Sequence, residues 1–237
     1  MDGRSLLERF SAEPRLAALL LDLDGVLAPI VPRPEDAAVP AETKAELARL
    51  AGRYALVAVI TGRDGDDARA RVGIESLDYV GSHGLELEPG ADEWAERLHA
   101  FGATVAWPIE RKRLTIAFHY RVAEDENEAR CTLEAVADRA RDEGFVARFG
   151  RKVLEVLPPL EANKGTAVAH LLSKRGLRRA LYAGDDTTDL DGFRALDRLE
   201  LAVRVAVASP ESPAELREAA DLIVESPSAF LEILRDL

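Results

Sequence analysis

The 237-residue chain has a single cysteine, Cys131, so no intrachain disulfide can staple it. That usage fits a reducing compartment. Aromatic residues make up only 5% of the chain while 47% is hydrophobic, so the expected core is sizeable and mostly aliphatic. No apolar run approaches the ~20 residues that span a bilayer. The opening Met1-Asp2-Gly3-Arg4 lacks the apolar stretch of a signal peptide, and the expected location is the cytoplasm. Positive charge is also short. With 31 Lys and Arg against 43 Asp and Glu, the net charge is −12, which argues against nucleic acid or an anionic membrane as partner. An acidic chain acting on an anionic substrate would need local positive charge, from a metal ion or a few placed Lys and Arg.

Against these absences stands one stretch, Ala17 to Leu27. An apolar run, Ala17-Ala18-Leu19-Leu20-Leu21, reads as a buried strand and ends in Asp22-Leu23-Asp24-Gly25. Burying a strand that ends in paired acids is costly unless the acids meet a cation or perform chemistry. Residues 1–16 read as a polar lead-in with one short helix. Pro29, Pro32 and Pro34 make the next segment a stiff loop. Pro40 to Ala51 has helical spacing, with Ala41, Ala45 and Ala48 expected inward and Gly52 as the stop. Tyr54 to Ile60 reads as a buried parallel strand ending in Thr61-Gly62-Arg63. The result is a βαβ unit with polar groups at the carboxyl ends of its strands, where open α/β sheets bind ligands. Asp64, Asp66 and Asp67 read as the first turn of a helix, where acids complement the dipole. Leu77 to Val80 is a short strand running into the tight loop Gly81-Ser82-His83-Gly84.

The middle of the chain changes character. Thr104–Glu110 and Leu114–Arg121 read as strands about the basic turn Arg111-Lys112-Arg113. Glu124–Glu143 is a helix with Leu133, Val136, Ala137 and Ala140 on one face. Phe145–Phe149 and Val153–Leu157 flank a Gly150-Arg151-Lys152 turn. Hairpin, helix, hairpin is an antiparallel α+β unit, unlike the alternation on either side. The expected division is therefore a core from 1–100 and 160–237 with an insert over 101–159. After Pro158-Pro159 the alternation resumes. Asn163-Lys164-Gly165 opens a helix, Arg179–Ala183 is a strand entering Gly184-Asp185-Asp186-Thr187-Thr188-Asp189, and two more strands (Leu201–Val207, Asp221–Val224) and a helix from Ala229 close the chain. The fold class is α/β, a doubly wound parallel-sheet (Rossmann-like) core carrying an inserted α+β domain.

Asp22/Asp24, Thr61, Lys164 and Asp185/Asp186/Asp189 each have a plain structural reading: a helix cap, a surface lysine, a turn. Together they are improbable as accident, because a doubly wound sheet brings all four to one edge. An EF-hand loop is excluded, since Gly25 falls at the fourth loop position and Arg33 at the twelfth. A phospho-accepting receiver domain also joins acids, Thr and Lys on such a sheet, but it is usually far shorter and lacks an Asp-x-Asp on the first strand. The paired acids raise the expectation of a nucleophile for phosphoryl transfer, with Asp22 as the candidate and the order of Asp22 and Asp24 open on the residues alone.

The four motifs, with an insert between the second and third, resemble the haloacid dehalogenase superfamily of phosphatases with a type 2 cap. Within it the chain is similar to the trehalose-6-phosphate phosphatase family, on Asp22–Val31, Gly81-Ser82-His83-Gly84-Leu85-Glu86, Ile109-Glu110-Arg111-Lys112, His119-Tyr120-Arg121, Gly150–Val156, Asn163-Lys164-Gly165 and Gly184–Asp189. The resemblance implies that Asp22 forms an aspartyl-phosphate and that Asp24 protonates the leaving sugar oxygen, then deprotonates water; the reverse assignment of the two acids is possible in principle. It implies Mg²⁺ held by Asp22, the Asp24 carbonyl and Asp185, with Asp186 or Asp189 as a further ligand or support. Lys164 and Thr61 hold the phosphoryl oxygens. Gly62, Arg63, His83, Glu110, Lys112 and Glu155 meet the substrate, a phosphorylated disaccharide, and cap closure excludes water. The implied protein is a monomer able to work alongside a trehalose-6-phosphate synthase. Three positions depart from the family pattern: Val26 stands for the usual Thr, Ser82 for Asn and Leu190 for Glu. Another sugar phosphate, such as sucrose 6-phosphate or a glycosyl-glycerate phosphate, is the enzymatic alternative. A catalytically silent sugar-phosphate-binding module is the other.

Overall fold

A computed structural model describes residues 3–31, 33–121, 123, 125–150, 152–208 and 212–237. Pro32, Glu124 and Arg151, named above, lie outside the described residues. In chain order the elements are α1 (Gly3–Ser11), β1 (Ala17–Leu21), α2 (Ala41–Arg53), β2 (Leu56–Ile60), α3 (Gly65–Val72), β3 (Asp78–Val80), α4 (Ala91–Ala103), β4 (Glu110–Arg111), β5 (Ile116–His119), α5 (Glu126–Asp142), β6 (Val146–Gly150), β7 (Val153–Leu157), α6 (Lys164–Arg175), β8 (Arg179–Gly184), α7 (Asp189–Ala195), β9 (Leu201–Val207), α8 (Ala214–Ala219), β10 (Leu222–Val224) and α9 (Pro227–Asp236). The chain divides into two compact units, Met1–Gly84 with Ala162–Leu237, and Leu85–Glu161. Among the described residues, no helix is long and apolar enough to cross a membrane.

The first unit holds a six-stranded parallel sheet in the order β10-β9-β8-β1-β2-β3. β1 is central and every one of its five residues is buried, which is why it reads as an unbroken apolar run. The strand order reverses about β1, between β8 and β2, so the carboxyl ends of these three neighbours form the topological switch point. The register aligns Leu21 with Val59 on one side and Ala183 on the other, and Asp22 continues it by donating its N–H to the Ala183 carbonyl at 3.0 Å. The core beneath is aliphatic, with Leu19, Leu21, Val57, Val59, Leu181 and Val203 among its buried members.

The second unit holds an antiparallel sheet in the order β4-β5-β7-β6. Ile116, Phe118, Leu154 and Val156 project from one face into a separate core with Leu98 and Phe101 of α4 and Leu133, Ala137 and Ala140 of α5. The period-2 alternation of β5 and β7 therefore leaves Glu155 and His119 on the other face.

Several sequence expectations need correction. In α2 the buried residues are Thr43, Leu47 and Leu50, while Ala41, Ala45 and Ala48 are exposed. Two leucines bury more apolar area than three alanines, and they set the helix phase. Gly52 does not stop that helix, which continues to Arg53. The strand expected over Thr104–Glu110 is reduced to Glu110–Arg111. Pro108 lacks the N–H a ladder needs. Helices α4, α7 and α8 were not foreseen. α4 belongs to the second unit, which begins at Leu85, whereas the sequence pattern put the start of the insert near 101.

The Tyr54 hydroxyl is buried beneath α1, where its ring stacks on Phe10 at 5.7 Å between centroids, and it has no hydrogen-bond partner among the described residues. Removing an unsatisfied buried polar atom relieves a desolvation penalty. Tyr54→Phe is therefore expected to leave stability unchanged or raise it by about 1 kcal/mol, read from the urea midpoint at constant m-value.

Candidate active site

Four segments place the chemistry at the switch point of the first unit. Asp22 directly follows β1, Thr61 follows β2 and Asp185 follows β8, while Lys164 is the first residue of α6. Lys164 is buried and its ammonium bridges two acids, at 2.9 Å from Asp22 Oδ2 and 2.7 Å from Asp189 Oδ1. The start of α6 is held by a capping box in which the Asn163 side chain accepts from the Thr166 N–H at 2.9 Å and the Thr166 hydroxyl accepts from the Asn163 N–H at 3.0 Å. Asp22 Oδ1 accepts from the Leu23 N–H at 2.8 Å.

Asp189 has no oxygen to spare. Its Oδ1 accepts from Lys164 and from the Tyr182 hydroxyl, each at 2.7 Å, and its Oδ2 accepts from the N–H groups of Asp185 at 2.9 Å and Asp186 at 3.1 Å. Four donors on one buried carboxylate make it a structural counter-ion that closes the 184–189 loop. Tyr182 was missed in the sequence. The available signal was a phenol inside an apolar strand, two residues before Gly184-Asp185. Burial, then the neighbouring Asp189 and Asp22, push its pKa well up, so it remains a donor.

Burial pushes the Asp22 carboxyl well above the usual range, opposed by Lys164 and reinforced by Asp189 and Asp185. Burial and then Asp189 push Asp185 up to about 7. Lys164 moves upward although burial alone would lower it, because Asp22 and Asp189 favour its charged form. Carboxylate oxygens of Asp22, Asp185 and Asp189 lie within 4.8 Å of one another. Three carboxylates against one buried ammonium leave two negative charges unmatched, and all the donors are hard oxygens. The donor set thus fits a divalent cation. With Asp189 saturated, the two carboxylates left to ligate it are Asp22 and Asp185.

Gly25 explains the fourth residue of the first motif. Its φ is +82°, and a Cβ there would lie 2.1 Å from Asp185 Oδ2, so only glycine lets the two acidic loops meet. Thr61 is buried, and its Oγ1 accepts from the Arg63 N–H at 3.2 Å, which leaves the hydroxyl proton to donate elsewhere. Gly62 lies under the His83 ring, 2.5 Å from the imidazole Nε2 to the position of a Cβ. His83 is held there by its own N–H donating to the Thr61 carbonyl at 2.9 Å, in a left-handed conformation. Arg63 forks onto Asp24, Nε to Oδ2 at 2.6 Å and Nη2 to Oδ1 at 2.9 Å, and reaches Asp67 at 3.2 Å. Asp186 is exposed and accepts from the Thr187 N–H in its own turn. The departures have places too: Val26 packs in the apolar core of the first unit, Leu190 is buried, and the Ser82 hydroxyl donates to Asp64 Oδ1 at 3.3 Å. Glu110, Lys112 and Glu155 lie in the second unit. Glu110 and Glu155 flank Ala117 across three neighbouring strands, and the Lys112 carbonyl accepts from His99 Nε2 at 3.1 Å.

A family model described as trehalose-phosphatase matches residues 20–108 and 102–227, nearly the whole chain and every segment of this site. The chain belongs to the trehalose-phosphatase family. A "Probable trehalose-phosphate phosphatase" of Sinorhizobium fredii is 35% identical over 90% of this chain and 86% of its own length. An "Uncharacterized glycosyl hydrolase" of Mycobacterium tuberculosis is 32% identical over 94% of this chain, which spans only 18% of that protein. The chain spans about half the length of two mycobacterial trehalose-phosphate phosphatases that it also matches. Among solved structures, the C-terminal domain of Candida albicans trehalose-6-phosphate phosphatase has the same fold, with a TM-score of 0.70, 24% identity and coverage of 98% of this chain and 95% of that one.

The buried triad supplies a stability test. Lys164→Ala strands two carboxylates without a counter-ion and is expected to cost about 3–5 kcal/mol. Tyr182→Phe removes one of four donors to Asp189 and is expected to cost about 1 kcal/mol. Both are read by urea unfolding; equal losses would show that Lys164 is not the main counter-charge.

Proposed function

We propose that this chain is a Mg²⁺-dependent phosphatase that hydrolyses trehalose 6-phosphate to trehalose and phosphate through an aspartyl-phosphate on Asp22. The observation that carries the reading is the Asp22–Lys164–Asp189 triad with Asp185 beside it, at the switch point of a sheet in a trehalose-phosphatase family member.

In this reading an oxygen of Asp22 attacks phosphorus in line with the departing sugar oxygen. Lys164, fixed by Asp189, orients Asp22, favours its ionised form against the cost of burial, and lies where charge spreads on the phosphoryl group. The Thr61 hydroxyl, its oxygen already accepting from Arg63, turns its proton to a phosphoryl oxygen. Asp24 protonates the leaving sugar oxygen and then takes a proton from the water that cleaves the acyl phosphate. Arg63 holds the Asp24 carboxylate in one orientation by its two-bond fork. Bound between Asp22 and Asp185, with the Asp24 carbonyl as a third ligand, Mg²⁺ would neutralise acid and phosphate charge that otherwise repel. Asp186 and Asp189 act as support rather than ligands. The second unit serves as the specificity cap, where Glu110, Lys112 and Glu155 offer acceptors and a donor to sugar hydroxyls, and His83 and Gly62 line the catalytic floor.

The test is phosphate release from a panel of trehalose 6-phosphate, sucrose 6-phosphate and glycosyl-glycerate phosphates, with Mg²⁺ and with EDTA. Trehalose 6-phosphate is expected to be preferred and EDTA to abolish release. Preference for another sugar phosphate would overturn the substrate, and no release from any would overturn the enzyme reading. Asp22→Asn is expected to lower kcat by at least about 10³-fold, since it removes the nucleophile; near-normal turnover would reassign that role.

A further inference from the structure

The second unit contains a histidine that the catalytic reading leaves unused. His119 ends β5 on the sheet face away from the core, and its Nε2 lies 2.7 Å from Glu110 Oε2. A carboxylate can only accept, so this nitrogen carries the proton and donates.

The two side chains are about equally exposed, at 47% for His119 and 49% for Glu110, but their backbones are held differently. Glu110 lies on a two-residue strand at the sheet edge, where only Glu110 and Arg111 pair with β5. Both are exposed, and holding a glutamate side chain in one rotamer costs entropy that a partner must offset. His119 is braced from three directions. It pairs with Val153 of β7, its carbonyl accepts from the Trp107 indole N–H at 2.9 Å, and the next residue, Tyr120, donates to the Lys152 carbonyl at 3.1 Å. Trp107 is itself packed against the core of the unit.

The bond is also selective between the two carboxylate oxygens. His119 takes Oε2, while Oε1 carries no hydrogen bond among the described residues. The register places Glu110, Ala117 and Glu155 in one row across three strands. At a strand spacing of about 4.8 Å the two glutamates stand about 10 Å apart with a methyl group between them. That row suits a pyranose ring, with an apolar floor and an acceptor at each side.

We propose that His119 is a positioning residue for sugar recognition: it pins the Glu110 carboxylate on the cap face and leaves one oxygen aimed at a sugar hydroxyl. The inference rests on the proposed trehalose 6-phosphate phosphatase activity. It concerns recognition and not the phosphoryl step, so its signature falls on KM.

The experiment is a double-mutant cycle on the full chain with Mg²⁺ and trehalose 6-phosphate, using His119→Ala, Glu110→Ala, the double variant and His119→Gln. His119→Ala is expected to raise KM about tenfold with kcat within about twofold. In the Glu110→Ala background the same change is expected to have no further effect. His119→Gln, whose amide can donate to Glu110, is expected to recover part of the loss. Multiplicative effects of the two alanine substitutions, or a loss confined to kcat, would overturn the role of His119 while leaving the activity standing. A wild-type protein that releases no phosphate from trehalose 6-phosphate would overturn the substrate reading, and this inference with it.

Discussion

The structure of the site depends on one buried ammonium. Lys164 lies between Asp22 and Asp189 with all three side chains nearly free of solvent. Burying any one of these charges alone is costly, and the arrangement persists because each finds charge or hydrogen-bond donors. Asp189 collects a phenol and two backbone N–H groups besides the lysine, and Asp22 collects the Leu23 N–H. The same lysine therefore ties the end of β1, the start of α6 and the 184–189 loop into one body. The geometry of the phosphoryl site follows from an electrostatic requirement of the fold.

That requirement is deliberately left incomplete on one side. One lysine cannot balance three carboxylates, and the raised pKa values of Asp22 and Asp185 record the deficit, burial being the leading cause of each. Such a cluster of hard oxygens fits a divalent cation. In the proposed function, a bound metal would add to Lys164 the local positive charge that a chain of net charge −12 otherwise lacks.

The two units separate two kinds of demand. In the proposed function, phosphoryl chemistry needs fixed charge, which the buried residues after the strands of the first unit supply. The proposed sugar recognition needs adaptable hydrogen bonding, and Glu110 and Glu155 lie on the solvated face of an antiparallel sheet. Even there the glutamate on the weakest strand leans on a histidine from a well-paired one.

Composition and spacing determined much on their own. β1 and β2 are legible because strands buried on both faces must be apolar throughout, and β8 and β9 keep most of that pattern around Arg179 and Arg204; the acidic and hydroxyl residues after the strands and the lysine opening α6 sit where open sheets bind ligands. The inserted α+β pattern is equally plain where β6 and β7 alternate. The phase of α2 was misread because its alanines repeat at helical spacing while its leucines carry the burial. α4 escaped because half of it is polar and its partners, Phe145 and the β5 face, lie far along the chain. The division of labour among the late acids was settled only in three dimensions. Nothing in Gly184-Asp185-Asp186-Thr187-Thr188-Asp189 says that Asp189 turns back to take four donors, because three of its partners (Lys164, Tyr182 and the Asp185 N–H) are aligned by packing. Likewise Arg63 could meet substrate or a neighbour on sequence grounds, and the fold places the Asp24 carboxylate within its fork. Local pattern encodes which residues are buried and which end a strand; which donor meets which oxygen depends on distances that exist only once the sheet has formed.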